Sequence, residues 1–186
     1  MSNINELILN NYGYYITMFA AFSFLGWAME CIVIKKELGY WENRGFAKAP
    51  FCAIYGFGIM ILYPVINQFS NNLWVLFILG SLIATLFEYL VAIGMNKMFD
   101  RVWWDYTHKS YNYKGILCLE STIGWGVGTI VIAKIIYPAL SEVVTSLPIG
   151  VTNVIGISFQ VLYILDVIVV AYKTRRESNN EEYESI

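Results

Sequence analysis

The sequence predicts an all-α, polytopic membrane protein with five transmembrane helices, and three observations carry this prediction. Apolar residues make up 58% of the 186 residues and charged residues 14%, whereas soluble domains average roughly 45–50% and about 25%. The mean hydropathy is +0.54. The basic residues cluster between long apolar stretches. The lipid bilayer is therefore the predicted partner, and a net charge of −2 argues against nucleic acid.

Five apolar stretches have the length that a helix needs to cross about 30 Å of hydrocarbon. The second is the shortest and begins at Pro50, which suits the first turn of a helix. We expect tight loops at residues 67–72 and 140–148. The predicted spans are residues 14–34, 50–66, 73–95, 115–139 and 149–172.

The basic residues predict the topology. Eleven of the 12 follow the first, third or fifth span, and Lys134 lies within the fourth. By the positive-inside rule, the N-terminus lies outside and the C-terminus is cytoplasmic, as in a multi-pass protein of the cell membrane. Lys134 falls near the outer end of its span, where its side chain can reach the interface.

Residues 1–176 are predicted to form a single transmembrane domain. The last ten residues hold four glutamates and two asparagines. This composition cannot bury a core, so residues 177–186 are expected to be a disordered acidic cytoplasmic tail.

The first two spans resemble the next two, which predicts an internal repeat. Residues 24–33 read FLGWAMECIV and residues 83–92 read IATLFEYLVA, matched at their glutamates. Each following loop closes on asparagine, a basic residue and glycine, and each next span carries Gly-aromatic-Gly, Gly56-Phe57-Gly58 and Gly124-Trp125-Gly126. Both helix pairs run in the same direction, so a pseudo-twofold axis along the membrane normal is expected.

Four acidic residues lie within the predicted spans: Glu30, Glu88, Glu120 and Asp166. A charge at the bilayer centre costs roughly 2.5–3.5 kcal/mol on insertion scales, so such residues are usually functional. At 1.5 Å per residue, all four fall roughly 6–11 Å inside the cytoplasmic boundary. They are predicted to form one acidic layer.

Small residues four positions away place the three glutamates on helix faces that pack against other helices. We therefore expect Glu30, Glu88 and Glu120 to face one another in the bundle, within reach of Arg44 or Arg101. The alternative is that these carboxylates only join helices by hydrogen bonds.

The two long cytoplasmic loops complete the candidate set for substrate or ion binding. The sequence has no GxxxxGK[ST], HExxH or GxSxG motif and no CxxC pair, so catalytic residues are not assigned, no metal site is predicted and no cofactor is expected. His108 is expected to be solvated. The loop candidates are Asn43, Arg44, Arg101, Trp104, Asp105 and Asn112.

Several motifs resemble the ABC-transporter type IV, CmpB-like membrane permease family over about residues 14–140. The chain departs from the family pattern at Ala47-Lys48-Ala49-Pro50. The resemblance implies transport, with a separate ATPase subunit and a homodimer as candidate assemblies. The motifs are Gly26-Trp27 with Glu30, Asn43-Arg44-Gly45-Phe46, Pro50, Tyr55-Gly56 with Gly58, Trp103-Trp104-Asp105-Tyr106, Asn112, Gly115, Cys118-Leu119-Glu120 and Trp125-Gly126.

Three functions remain open on the sequence. The first is a membrane subunit of a transporter, whose acidic layer binds a polar or cationic solute from the cytoplasm. The second is a membrane-embedded enzyme or binding protein for a lipid or lipid-linked substrate, with Arg44 and Arg101 holding phosphate. The third is a scaffold without a substrate.

Overall fold

The computed structural model describes residues 4–69 and 71–184, and the side chains of residues 12–69 and 71–176. Its elements are, in chain order, the helices α1 (Ile4–Leu38) and α2 (Ala53–Ile66), a 3-10 turn (Asn67–Phe69), helix α3 (Leu73–Phe99), strands β1 (Asn112–Tyr113) and β2 (Leu117–Cys118), helix α4 (Leu119–Val131), a π-helical segment (Ile132–Ile136), and helices α5 (Tyr137–Ser146) and α6 (Ile149–Glu184).

The predicted all-α fold with membrane-spanning helices is confirmed. Within the described part of the chain, four helical stretches are long and apolar enough to cross a membrane: Tyr12–Leu38, Leu73–Phe99, Leu119–Ser146 and Ile149–Arg176. A shorter apolar helix covers Ala53–Phe69. The 14 residues of α2 alone extend about 21 Å, so this element is short for a bilayer.

The fourth span differs from its predicted bounds at both ends. It begins at Leu119 because residues 115–118 form a turn and strand β2. It continues to Ser146, so the expected loop at residues 140–148 is wrong and only Leu147 and Pro148 separate it from α6.

The helix continues through this region because a π-helical segment accommodates a proline. Pro138 lacks an N–H and its ring would collide with the carbonyl four residues back. The chain widens into the π-helical segment just before it, where Tyr137 N donates to the carbonyl of Ile132, five residues back. The helix therefore bypasses the proline without ending.

The termini of the helical region also extend beyond the predicted spans. Helix α1 begins at Ile4, and α6 continues through Glu184. The expected disordered tail is therefore helical over residues 177–184, and residues 185–186 lie outside the described residues. Glutamate is a good helix former, and extending an existing helix needs no new nucleus.

The chain divides into two compact units. The first contains the described part of Met1–Met60 together with Ala139–Thr174. Within it, Gly13 of α1 lies against Asn153 of α6, and Gly156 lies against Ile16. Aromatic side chains complete the packing, with the ring centroids of Phe51 and Phe159 4.6 Å apart.

The second unit contains Ile61–Pro138, together with the described part of Arg175–Ile186. Helices α3 and α4 pack along each other in it. Asn72 caps α3 by accepting from Trp74 N at 3.0 Å and Val75 N at 3.2 Å. Its buried apolar cluster is Ile66, Leu76 and Ala133, with Leu62, Tyr63 and Ile130 packed against it.

The internal repeat is visible in the packing of each unit taken separately. In the first unit, Gly56 lies against Ser23 and Phe19. In the second unit, Gly126 lies against Ser81 and Phe77. The two serines and the two phenylalanines are each 58 residues apart, and Glu30 and Glu88 share this spacing.

The packing corrects the register of the repeat in the second helix of each pair. Gly56 corresponds to Gly126, so the shared motif is aromatic-Gly-x-Gly, Tyr55–Gly58 and Trp125–Gly128. The Gly-aromatic-Gly alignment was wrong by two residues. The pseudo-twofold axis stays a prediction.

Candidate functional site

Glu88 is the most completely hydrogen-bonded of the predicted acidic residues. It is 5% exposed. Its Oε2 accepts from Trp125 Nε1 at 2.9 Å and Ser121 Oγ at 3.2 Å, both from α4. Its Oε1 accepts from the hydroxyl of Tyr106 at 3.3 Å, which arrives from the loop between α3 and β1. The carboxylate therefore joins two helices and a loop.

Glu30 occupies the equivalent position in the first unit. It is half-buried, and its Oε1 accepts a hydrogen bond from the hydroxyl of Tyr55 on α2. Tyr55 can approach because Gly26 has no side chain, and a Cβ there would lie 2.6 Å from the Cβ of Tyr55.

Tyr55 and Trp125 thus donate to equivalent glutamates from equivalent positions of the aromatic-Gly-x-Gly motif. Neither donor was predicted from the sequence, and nor were Tyr106 and Ser121. The sequence does contain one signal for Tyr55 and Trp125, the aromatic-Gly-x-Gly motif. It places an aromatic donor next to the glycine that permits close helix contact.

Other polar groups of the first unit gather around Cys52, just before α2. Both Glu30 and Arg44 lie within electrostatic reach of its thiol. Tyr163 of α6 lies within reach of Cys52 and of Asp166. Two predicted residues, Glu30 and Arg44, therefore influence a thiol that was not among the predicted site residues.

Asp166 serves as an anchor for the loop between α1 and α2. Its Oδ2 accepts from the backbone N of Ala49 at 2.8 Å. The contact ties this loop to α6 within the first unit. A charge-assisted bond of this kind is stronger than one between neutral groups.

Glu120 does not face inward as expected. Its side chain is 67% exposed and its Oε2 pairs with Lys109 Nζ at 2.9 Å. Because α4 begins at Leu119, Glu120 lies in the first helical turn, where a carboxylate is favoured by the helix dipole. Its neighbour Ser121 contacts Glu88 instead. The predicted inward orientation of Glu120 is wrong, and its partner is a lysine, not an arginine.

Asn43 closes the first cytoplasmic loop. Its Oδ1 accepts from Trp27 Nε1 at 2.7 Å and from Gly45 N at 3.3 Å. Its Nδ2 donates to the carbonyl of Lys48 at 3.1 Å. These bonds use both ends of the amide to hold the loop.

Asn112 has the same role in the second cytoplasmic loop. Its Oδ1 accepts from Gly115 N at 3.0 Å, and its Nδ2 donates to the carbonyl of Lys109 at 2.9 Å. Gly115 has φ +68°, which favours glycine. The Asn-basic-Gly correspondence of the two loops is confirmed in structure by these glycine contacts.

The remaining loop candidates also make internal contacts. Trp104 Nε1 donates to the carbonyl of Ile116 at 3.0 Å. Asp105 accepts from Thr107 N at 2.8 Å and Thr107 Oγ1 at 2.9 Å, and these bonds lower its pKa below the usual value. Arg101 is exposed at the start of the loop. The loop candidates therefore serve mainly to order the second loop.

Two chemically different groupings result. In the second unit, the described contacts of Glu88 include three hydrogen-bond donors that carry no charge. In the first unit, Glu30 accepts from a tyrosine hydroxyl, and Glu30 and Arg44 each act electrostatically on the thiol of Cys52. Within the described residues, no group of three or more His, Cys, Asp or Glu is placed to hold a metal ion.

Comparison with known proteins identifies a matching family. The model of a family described as "Putative ABC-transporter type IV" matches residues 17–171. No curated protein and no solved structure matches the chain.

Proposed function

The chain belongs to the ABC-transporter type IV family, and on that premise we propose that it is the membrane subunit of a transporter. In each unit taken separately, an acidic site opens to the cytoplasm and binds a polar or cationic solute. The candidate residues are Glu30 and Arg44 in the first unit and Glu88 in the second.

One observation carries this proposal. Both repeats keep a glutamate at the same position of an apolar helix, and both supply an aromatic hydrogen-bond donor to it from the partner helix. A carboxylate at membrane depth is costly and is usually associated with a pathway for ions or solutes. Many transporters are built from internal repeats, and two copies of one arrangement agree with that construction.

The hydrogen bonds that Glu88 already accepts favour a second candidate function, a membrane scaffold. Three donors on one buried carboxylate are sufficient to join helices without any solute. If the chain transports a solute, the negative charges of Glu30 and Glu88 must contribute to solute binding, and not only their hydrogen bonds.

Glutamine substitution separates these two functions. Glu30→Gln and Glu88→Gln keep the size and hydrogen-bonding capacity of each side chain while removing its charge. We expect both variants to stay folded and to lose at least about tenfold in apparent solute affinity, since one charge-assisted bond contributes about 1.5–3 kcal/mol. Affinity is measured by thermal stabilisation of the purified chain with sodium, potassium, choline, spermidine and amino acids.

The control is Glu142→Gln, an exposed acidic residue of α5. The solutes should stabilise this variant as much as they stabilise the unmodified chain. If Glu30→Gln and Glu88→Gln both keep the full response, the carboxylates are structural and the scaffold interpretation is correct.

The proposed orientation has the N-terminus outside and the C-terminus in the cytoplasm, because the basic residues lie in the loops after α1 and α3 and at the end of α6. A cysteine at position 71 should react with an impermeant maleimide in intact cells, and a cysteine at position 110 only after permeabilisation. Asn71 and Ser110 are both exposed. The unmodified chain is the control for Cys31, Cys52 and Cys118. The opposite labelling pattern would reverse the topology.

The ATPase of such a transporter would be a separate subunit, because this chain has no phosphate-binding loop motif. A homodimer is the second assembly that we propose. Copurification of the tagged chain in native membranes tests both partners.

A further inference from the structure

The stretch of chain between the glutamate and the loop asparagine is longer in the second unit than in the first. Glu30 and Asn43 are 13 residues apart, whereas Glu88 and Asn112 are 24 apart, so the second stretch has 11 more residues. The two asparagines hold their loops in the same way, each through both ends of its amide. The additional residues therefore precede Asn112, in the part of the chain that contains Tyr106.

The two equivalent glutamates also differ in exposure. Glu30 is half-buried, and its described hydrogen-bond donor is Tyr55 of α2. Glu88 is 5% exposed and accepts from Trp125 of α4 in the equivalent way. The longer loop adds a donor of its own, because the hydroxyl of Tyr106 reaches Oε1 of Glu88 at 3.3 Å. The carboxylate that the longer loop contacts is thus the one that is shut off from solvent.

Tyr106 is presented by a loop that is folded through its own hydrogen bonds. Its backbone N donates to the carbonyl of Gly115 at 2.8 Å, and its carbonyl accepts from Lys109 N at 2.9 Å. Asn112 donates to the carbonyl of Lys109 at 2.9 Å and accepts from Gly115 N at 3.0 Å. These bonds join loop residues to one another. The loop can therefore keep its fold when the bond from Tyr106 to Glu88 breaks.

The bond from Tyr106 is also longer than the equivalent bond from the helix. Hydroxyl donors ordinarily lie about 2.5–3.0 Å from their acceptor, so 3.3 Å is long. Trp125 donates at 2.9 Å and is carried by α4, whose neighbouring Gly126 packs closely on α3. Loops are more mobile than the helices that they connect. Of these two contacts with Glu88, the one from Tyr106 is the easier to break.

We propose that the second loop, residues 100–118, is a lid over Glu88 and that it opens by breaking the hydrogen bond from Tyr106. The lid controls the access of solute to this carboxylate. Trp125 and Ser121 stay in place on α4 and position the carboxylate whether the lid is open or closed. This inference rests on the proposed function and names the regulation of its second-unit site.

Carbodiimide labelling measures access to Glu88 without requiring a known solute. The purified full-length chain in nanodiscs is treated with a water-soluble carbodiimide and glycine methyl ester, and modification of Glu88 is quantified by mass spectrometry. Tyr106→Phe keeps the ring and removes the hydroxyl that holds the lid closed. We expect this variant to label at Glu88 about threefold to tenfold faster than the unmodified chain, the change that loss of one hydrogen bond ordinarily produces.

Further variants separate access to the carboxylate from its reactivity. Asn112→Ala loosens the lid and leaves the described donors to Glu88 in place, so it should also raise labelling. The matched control is Asn43→Ala, which removes the equivalent bonds of the first loop and should leave labelling of Glu88 unchanged. Trp125→Phe removes a donor without loosening the lid, and it should raise labelling less than Tyr106→Phe does.

Three results would overturn the lid. The first is unchanged labelling in Tyr106→Phe. The second is a rise in Tyr106→Phe without one in Asn112→Ala, because the carboxylate would then have changed its reactivity and not its access. The third is a rise in Trp125→Phe as large as that in Tyr106→Phe.

The proposed function is judged by a separate arm of the same experiment. Tyr106→Phe is labelled with and without sodium, potassium or choline. Slower labelling of Glu88 with any of these cations supports a solute site there. Labelling that follows the lid predictions and is unaffected by all three cations supports the lid and counts against cation binding at Glu88.

Discussion

Replacing Gly126 with alanine is expected to lower the free energy of unfolding by about 1–3 kcal/mol, the usual range for forcing a methyl group into a packed contact. The new Cβ would meet Ser81 Oγ and would lie 2.7 Å from the ring of Phe77. Ser81 is buried, so its side chain has little room to move. Helices α3 and α4 would have to separate, which also stretches the bond from Trp125 to Glu88.

Gly128→Ala is the matched control, because it lies half a turn further along the same helix and its new methyl group would have nothing within 4 Å. Alanine is favoured over glycine in helices by up to about 1 kcal/mol, so this variant should be neutral or more stable. Gly56→Ala should reproduce the loss in the first unit. Unfolding in a mild detergent, followed by tryptophan fluorescence, gives the comparison. Equal stability of the 126 and 128 variants would contradict the close packing.

Replacing Glu88 with alanine should also be strongly destabilising, by about 2–5 kcal/mol. The substitution leaves the donors of Trp125, Ser121 and Tyr106 without their described acceptor. Each buried donor left unsatisfied costs roughly 1–3 kcal/mol, and partial hydration reduces the sum. The loop that supplies Tyr106 should become more accessible to trypsin at Lys109.

Glu120→Ala is the control for Glu88→Ala. Its exposed ion pair with Lys109 contributes about 0–1 kcal/mol, as surface pairs do. The stability of Glu88→Gln should fall between those of Glu88→Ala and Glu120→Ala, since the glutamine amide keeps one acceptor oxygen. If Glu88→Ala is as stable as Glu120→Ala, the hydrogen bonds to Glu88 do not support the fold.

The sequence predicted the repeat because a glutamate, an Asn-basic-Gly run and a Gly-aromatic-Gly run recur in the same order in the two helix pairs. It did not predict the hydrogen-bond donors, since a tyrosine and a tryptophan in apolar helices look like ordinary lipid-facing aromatics. The position of Glu120 was wrong for a geometric reason. The helix starts four residues later than predicted, at Leu119, so Glu120 lies in the first helical turn and not one turn or more inside the span.

The bounds of the fourth span show a second limit of sequence patterns. The predicted loop at residues 140–148 begins just after Pro138, and proline ordinarily disfavours the interior of a helix. The structure instead accommodates Pro138 by five residues of π-helix. Whether a helix ends at a proline or widens into a π-helical turn depends on how it packs against neighbouring helices. Here the ring of Tyr63 stacks on that of Tyr137, with the two ring centroids 3.4 Å apart.

The bond from Asp166 to Ala49 has a consequence for stoichiometry. A chain built by duplication would ordinarily offer two equivalent sites and bind two solutes. Helix α6 has no counterpart in the repeat, and its carboxylate fixes the loop that carries Arg44. The second loop is held by Asn112 and its short hairpin, so its Lys114 remains free of that restraint. The added helix thus makes the two halves unequal, and we expect solute to fill one half at a lower concentration than the other.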